Sequence, residues 1–154
     1  MARSLTLAAV ALAAFAAAGP ALAEDAPFAQ PTGAGAPALA DIMSLAQLRH
    51  IKLGLAAEAG DLPLAAFEAR ILAQSLGAAA IYYANIPIDY VIAAAKPLQG
   101  IVDAAARGDG AAVKTLTRET TAACNACHVA AGRGFIALKA PSSSPFSDQI
   151  FAPQ

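Results

Sequence analysis

The sequence is poor in chemically reactive side chains. Its 154 residues include two cysteines, two histidines and no tryptophan, and charged residues make up only 14% of the chain. The lysines and arginines form no cluster, so nothing indicates a nucleic-acid partner. The acidic residues are scattered singly, with no carboxylate pair or nucleophile–base arrangement, so we expect no enzyme activity. The 58% apolar content is that of a folded chain rather than a disordered one.

The N-terminus has the pattern of a secretory signal peptide over residues 1–23. Arg3 precedes an apolar run at residues 5–18, and the small-residue site Ala21-Leu22-Ala23 follows. The run is shorter than the ~20 residues that a membrane span needs, so we expect cleavage after Ala23 and export to the periplasm. Nine of the ten Lys and Arg then remain against eleven Asp and Glu, a net charge of −2. No second long apolar run appears, so we expect no membrane span in the mature form.

Both cysteines and one histidine lie in a single pentapeptide, Cys124-Asn125-Ala126-Cys127-His128. The pattern C-x-x-C-H is typical of covalent c-type haem attachment. Two thiols at this spacing can add to the two vinyl groups of one porphyrin, and the following histidine can offer a ring nitrogen to the iron. In a helix the three side chains share one face. The motif predicts one covalent haem, with thioethers at Cys124 and Cys127 and His128 as the proximal iron ligand.

Other uses of the cysteines stay open at this point. A disulfide or a redox dithiol would suit an oxidising compartment, although the dithiol motif belongs to βαβ folds and no strands are evident. A zinc site would use both cysteines and both histidines. Structural zinc sites, however, usually bring their second ligand pair as closely spaced residues, and His50 stands alone.

Apolar periodicity predicts four helices after a Pro- and Gly-rich flexible lead-in at residues 24–38. We expect them at residues 39–59, 64–80, 88–107 and from 111 to the glycines at 132 and 134. Gly60 ends the first helix and Asp61 caps the second, whereas Pro97 predicts a kink or a fresh start within the third.

The short connections between these helices predict an all-α fold, an antiparallel up-down-up-down four-helix bundle with covalently attached haem. The haem-binding domain would span residues 39–132. The fourth helix would direct Thr120, Cys124 and Cys127 inward on one stripe. The tail at residues 133–154 is predicted to be irregular and to pack on the bundle through its two Phe and one Ile near the end.

The second axial position of the iron has few candidates, because no Met and no His follow His128. Upstream, the mature chain offers Met43 and His50 on the first helix, seven residues and about 10 Å apart on one face. His50 would give bis-histidine ligation and Met43 would give His/Met ligation, which raises the potential. The remaining alternative is an open site lined by an apolar residue such as Leu53. Arg49 and Lys52 are candidates for contacts with the haem propionates.

These features together resemble the class II cytochromes c, the cytochrome c′ group. The resemblance covers residues 39 to about 132 and depends on Cys124, Cys127 and His128 near the end of the fourth of four helices. The resemblance implies that helix one supplies the distal-side residue and an arginine near the haem propionates. It also implies that the protein is a homodimer. The chain would be a divergent member.

Three functions follow from this sequence. The first is periplasmic electron transfer with redox partner proteins, and the second is binding of small gases such as NO or CO at an open distal site. A dithiol oxidoreductase is the third, and it keeps the cysteines without the haem. The coordination state of the iron would separate the first two.

Overall fold

A computed structural model describes residues 33–153, which form four α-helices and, within that range, no strand. The helices are α1 Leu39–Ala59, α2 Leu62–Tyr82, α3 Ile88–Ala106 and α4 Gly110–Ala130. The helices pack against one another, so the prediction of an all-α four-helix bundle is confirmed. The predicted signal peptide at residues 1–23 lies outside the described residues.

Local capping fixes the helix ends. Gly60 closes α1 in a left-handed conformation at φ 79°, with its N–H directed to carbonyls of the last turn. The carboxylate of Asp61 accepts from the N–H of Leu64 at 3.1 Å, and that of Asp109 accepts from Ala112 at 2.9 Å, as N-caps do. Connections this short force successive helices to run antiparallel.

The predicted boundaries need small corrections. The second helix begins at Leu62 and continues to Tyr82, so the connecting loop spans residues 83–87. The fresh start expected at Pro97 does not occur, because α3 continues through this buried proline. The carbonyl that loses its helical partner belongs to Ala93, an exposed residue four positions earlier.

The main hydrophobic core fills the half of the bundle near the α1–α2 and α3–α4 connections. Leu53, Leu72, Leu98, Ile101 and Val113 are almost fully buried there among alanines of all four helices. A smaller cluster occupies the opposite end. The larger of the two buried clusters therefore lies at one end of the bundle.

The smaller cluster joins the start of α1 to the end of α2. It consists of Ile42, Ala79 and Tyr83, with Met43 packed against it. The Tyr83 hydroxyl donates to the Pro37 carbonyl at 2.6 Å. This bond ties the described end of the lead-in to the bundle.

Residues 133–153, here called the C-terminal strap, contain no helix or strand and follow the seam between α1 and α4. Leu138 is hydrogen-bonded to Asn125 on α4. The ring of Pro141 lies against Gly54 on α1 so closely that a Cβ there would come within 2.6 Å of it. Further along, Phe151 packs against the main core. The strap thus contacts both helices that border the seam.

Among the described helices, α2 is long and apolar enough to cross a membrane by length and composition. In the structure it packs between α1 and α3. The absence of a membrane span in the mature form remains a prediction.

Two helical glycines provide a test of the strap. Gly77→Ala should raise the free energy of unfolding by about 0.5–1 kcal/mol, because alanine favours a helix and nothing lies within 4 Å of the new methyl group. Gly54→Ala should instead lower it by about 1 kcal/mol, because overpacking against Pro141 outweighs the helix preference. Urea unfolding of both variants measures this. Equal stabilisation by the two substitutions would show that Pro141 does not lie against α1.

Candidate cofactor-attachment site

The pentapeptide with both cysteines lies in the last two turns of α4. The inward stripe of this helix is buried through Thr120, whereas Cys124 and Cys127 are only half-buried. His128 is also partly accessible. The two thiols and the imidazole therefore lie where the packed core ends, within reach of a ligand that enters from this end of the bundle.

The two cysteines are not bonded to each other. Burial raises the pKa of the Cys124 thiol to about 11, with the neighbouring Cys127 as a second cause, and burial also raises the pKa of Cys127. Reactive dithiols instead have lowered pKa values and often lie at helix N-termini, whereas these thiols lie near a C-terminus. The chemistry of the pair gives no support to a redox dithiol.

A zinc site also finds no support. Across residues 33–153 no three or more His, Cys, Asp or Glu side chains lie close enough together to hold a metal ion. His50 and His128 each bond to a different part of the chain. The four ligands that zinc would require are therefore not assembled in the described structure.

His128 has a defined proton position. Its Nδ1 lies 2.7 Å from the backbone carbonyl oxygen of Ile136 in the strap. Because a carbonyl can only accept, Nδ1 carries the proton, and in the neutral imidazole Nε2 is left with its lone pair. Iron-ligating histidines are commonly held in this way by a second-shell acceptor on the other ring nitrogen. The residues present thus fit a haem held by two thioethers and one imidazole.

The bundle end that carries the motif is rich in exposed apolar side chains. Within the described residues, most of the large exposed apolar residues lie at this end. They include Ile81, Tyr82, Ile88, Tyr90, Val129, Phe135 and Ile136. A large apolar ligand attached at Cys124 and Cys127 would find apolar surface nearby.

Two cavities of about 330 and 300 Å³ lie elsewhere, between α2 and α3. Arg70 and Val102 line both of them, and neither is lined by a residue of the motif. These cavities are not part of the candidate site.

His50, one of the two distal candidates, is buried between α1 and α4. It is 2% exposed, and its Nε2 lies 2.7 Å from the Thr121 hydroxyl. That hydroxyl also lies 3.2 Å from the Thr117 carbonyl oxygen, so Thr121 contacts both His50 and its own helix. Burial lowers the pKa of His50, which favours the neutral ring. Binding iron through Nε2 would require His50 to leave Thr121.

The register of α1 against α4 distinguishes the two distal candidates. Seven residues back along α1 from His50 is Met43, and seven residues forward along α4 from Thr121 is His128. Because the helices are antiparallel, Met43 lies at the level of His128, and His50 lies about 10 Å further along the bundle. Leu53 is fully buried in the main core, still further from the motif.

Arg49, proposed for a haem propionate, already has a partner. Its guanidinium lies 3.2 Å from a carboxylate oxygen of Glu68 on α2, a residue that is 2% exposed. Moving Arg49 away would leave a buried carboxylate unpaired, which is strongly unfavourable. Lys52 is directed to the strap, with its ammonium group 4.8 Å from the ring centre of Phe146.

Three residues of the site were not predicted from the sequence. They are Thr121, which bonds His50, and Asn125 and Ile136, which link the motif to the strap. Asn125 lies between the two cysteines, and a polar amide inside a half-buried motif could have drawn attention to it. Ile136 acts through its backbone carbonyl, which no side-chain pattern could reveal.

The chain matches no protein-family model, no curated protein and no solved structure. Any functional inference therefore depends on the site itself.

The buried histidine predicts a pH dependence of stability. Because the folded-state pKa of His50 is lowered from 6.5, the unfolded chain binds a proton first as the pH falls. The contribution of His50 is therefore complete above pH 6.5 and declines below it, by up to about 1.4 kcal/mol per unit of pKa lowering. Urea unfolding above and below pH 6.5 should show a steeper acid loss in the unaltered chain than in His50→Gln. Identical pH profiles would contradict the burial of a neutral His50.

Proposed function

We propose that the chain is an exported c-type cytochrome that carries one covalent haem and transfers electrons in the periplasm to and from redox partner proteins. One observation carries this proposal: His128 holds its proton on Nδ1 against the Ile136 carbonyl. The lone pair of Nε2 is thereby kept beside two unpaired thiols on the same helix. Export is inferred from the signal-peptide pattern at residues 1–23.

Each residue of the site would have a separate role in holding the haem. Cys124 and Cys127 supply two thiols one helical turn apart on the same face of α4. His128 supplies an imidazole whose orientation the strap fixes. When bound, haem would supply an iron that cycles between Fe(II) and Fe(III). The protein would orient this group and shield one side of it from water.

Met43 is the distal residue that the helix register favours. It lies at the level of His128, half-buried beside the small cluster of Ile42 and Tyr83. No hydrogen bond has to be broken for its thioether to turn, whereas His50 would have to leave Thr121. His/Met ligation suits an electron carrier because the coordination is filled in both oxidation states and raises the potential.

A second function, binding of a small gas such as NO or CO, is supported by the same position of His50. If the Met43 thioether stays in the apolar cluster, neither distal candidate reaches the iron and the sixth position is open. The two functions thus differ in the placement of one side chain.

Covalent attachment can be tested on a denaturing gel stained for haem peroxidase activity. The exported chain should retain the stain after denaturation, because thioether bonds survive unfolding. Cys124→Ala and Cys127→Ala together should abolish the stain, whereas the control His50→Ala should keep it. Absence of stain in the unaltered chain would overturn both functions at once.

The sixth ligand can be identified from absorption spectra of the haem-loaded chain. We expect a low-spin spectrum with slow CO uptake in the unaltered protein, and a high-spin, CO-binding form in Met43→Ala. His50→Ala should leave the spectrum low-spin. A high-spin unaltered protein that binds CO rapidly would favour the gas-binding function. A change only in His50→Ala would assign the ligand to His50.

A further inference from the structure

We propose that Asn125 is a positioning residue that clamps the C-terminal strap, so that the Ile136 carbonyl fixes the tautomer of His128. This inference deepens the proposed function, because the imidazole being oriented is the proposed iron ligand. It assigns a task to the residue between the two cysteines, which the attachment motif itself leaves free.

The clamp consists of two hydrogen bonds between one side chain and one backbone residue. The Nδ2 of Asn125 donates to the Leu138 carbonyl at 2.9 Å, and the Leu138 N–H donates to Oδ1 of Asn125 at 2.7 Å. Since the backbone supplies one donor and one acceptor, the orientation of the amide is fixed as well. Only a side chain with both a donor and an acceptor at this length can make the pair.

Between the motif and the clamp, the chain makes a tight turn. Gly132 leaves α4 in a left-handed conformation at φ 69°. The N–H of Arg133 then donates to the His128 carbonyl at 2.7 Å, and the N–H of Ile136 donates to the Arg133 carbonyl at 2.8 Å. This turn directs the strap back along α4, and the clamp at Leu138 follows two residues after Ile136.

The clamp is needed because His128 is not enclosed by the core. A partly accessible imidazole can exchange its proton between the two ring nitrogens, and the partner of one nitrogen decides which form is present. The carbonyl of Ile136 is the partner of Nδ1, and it keeps its place only while the strap stays on α4. Asn125 therefore acts on His128 through the strap rather than by touching it.

The second anchor of the strap lies further away and on another helix. Pro141 fits against Gly54 of α1, three residues after Leu138. This contact fixes the strap across the seam but not the direction of the Ile136 carbonyl. Gly54→Ala should therefore affect stability more than the tautomer of His128.

A direct test follows the tautomer of His128 in the full chain before haem attachment. Long-range ¹H–¹⁵N correlation spectra should show the proton of His128 on Nδ1 in the unaltered chain. In Asn125→Ala the ring should become a mixture of both tautomers. Asn85→Ala removes the other asparagine of the chain, an exposed loop residue, and should leave His128 unchanged.

Leu138→Pro gives an independent variant that leaves the motif intact. It removes the N–H that Asn125 accepts and should also produce the tautomer mixture. Circular dichroism shows whether each variant keeps its helices. If His128 stays on Nδ1 in both Asn125→Ala and Leu138→Pro, or if Asn85→Ala has the same effect as Asn125→Ala, the proposal is overturned.

The haem-loaded chain provides the second readout. Donation from Nδ1 raises the basicity of an imidazole ligand, so loosening the clamp should move the midpoint potential of the iron to a more positive value in Asn125→Ala and not in Asn85→Ala. An unchanged potential in a folded, haem-loaded Asn125→Ala would overturn the positioning role. If no haem is attached to any form, the proposed function fails, but the tautomer experiment still decides the role of Asn125.

Discussion

The antiparallel approach of α1 and α4 is the constraint on which the site depends. Connections of two to five residues, at Gly60-Asp61, residues 83–87 and residues 107–109, turn each helix back along its predecessor. After three reversals the start of α1 lies beside the end of α4. The pair His50–Thr121 and the ion pair of Glu58 with Lys114, at 3.1 Å, fix the register between the two helices. This register brings the proposed iron ligand level with Met43 rather than His50.

The two ends of the bundle differ in how many side chains they bury, and the motif lies at the end that buries fewer. Near the connections of α1–α2 and α3–α4, large aliphatic side chains such as Leu53 and Ile101 are completely buried. At the motif end burial stops at Thr120 on α4, and apolar side chains such as Ile88 and Phe135 stay exposed. Burial of apolar area contributes about 25 cal/mol per Å², so a large apolar ligand at this end could recover stability that the chain alone does not have.

The sequence predicted those parts of the fold that local interactions decide. Helix α1 and the caps at Gly60 and Asp61 depend on residues within one turn of each other, and they were predicted correctly. Of the kink or new helix start predicted at Pro97, the new start does not occur, since α3 continues through this residue. The surroundings of Arg49 and His50 could not be foreseen, since Glu68 and Thr121 lie 19 and 71 residues away along the chain.

The two histidines of the chain differ in which ring nitrogen is hydrogen-bonded. The Nε2 of His50 is hydrogen-bonded to the Thr121 hydroxyl. His128 donates from Nδ1 to the Ile136 carbonyl. The Nε2 of His50 is therefore occupied by a hydrogen bond, whereas His128 is bonded through Nδ1. His50 is better explained as a polar bridge across a buried seam, where an unpaired ring nitrogen would be costly. The strap accepts a hydrogen bond from Nδ1 of His128. It thereby leaves Nε2 for the proposed iron.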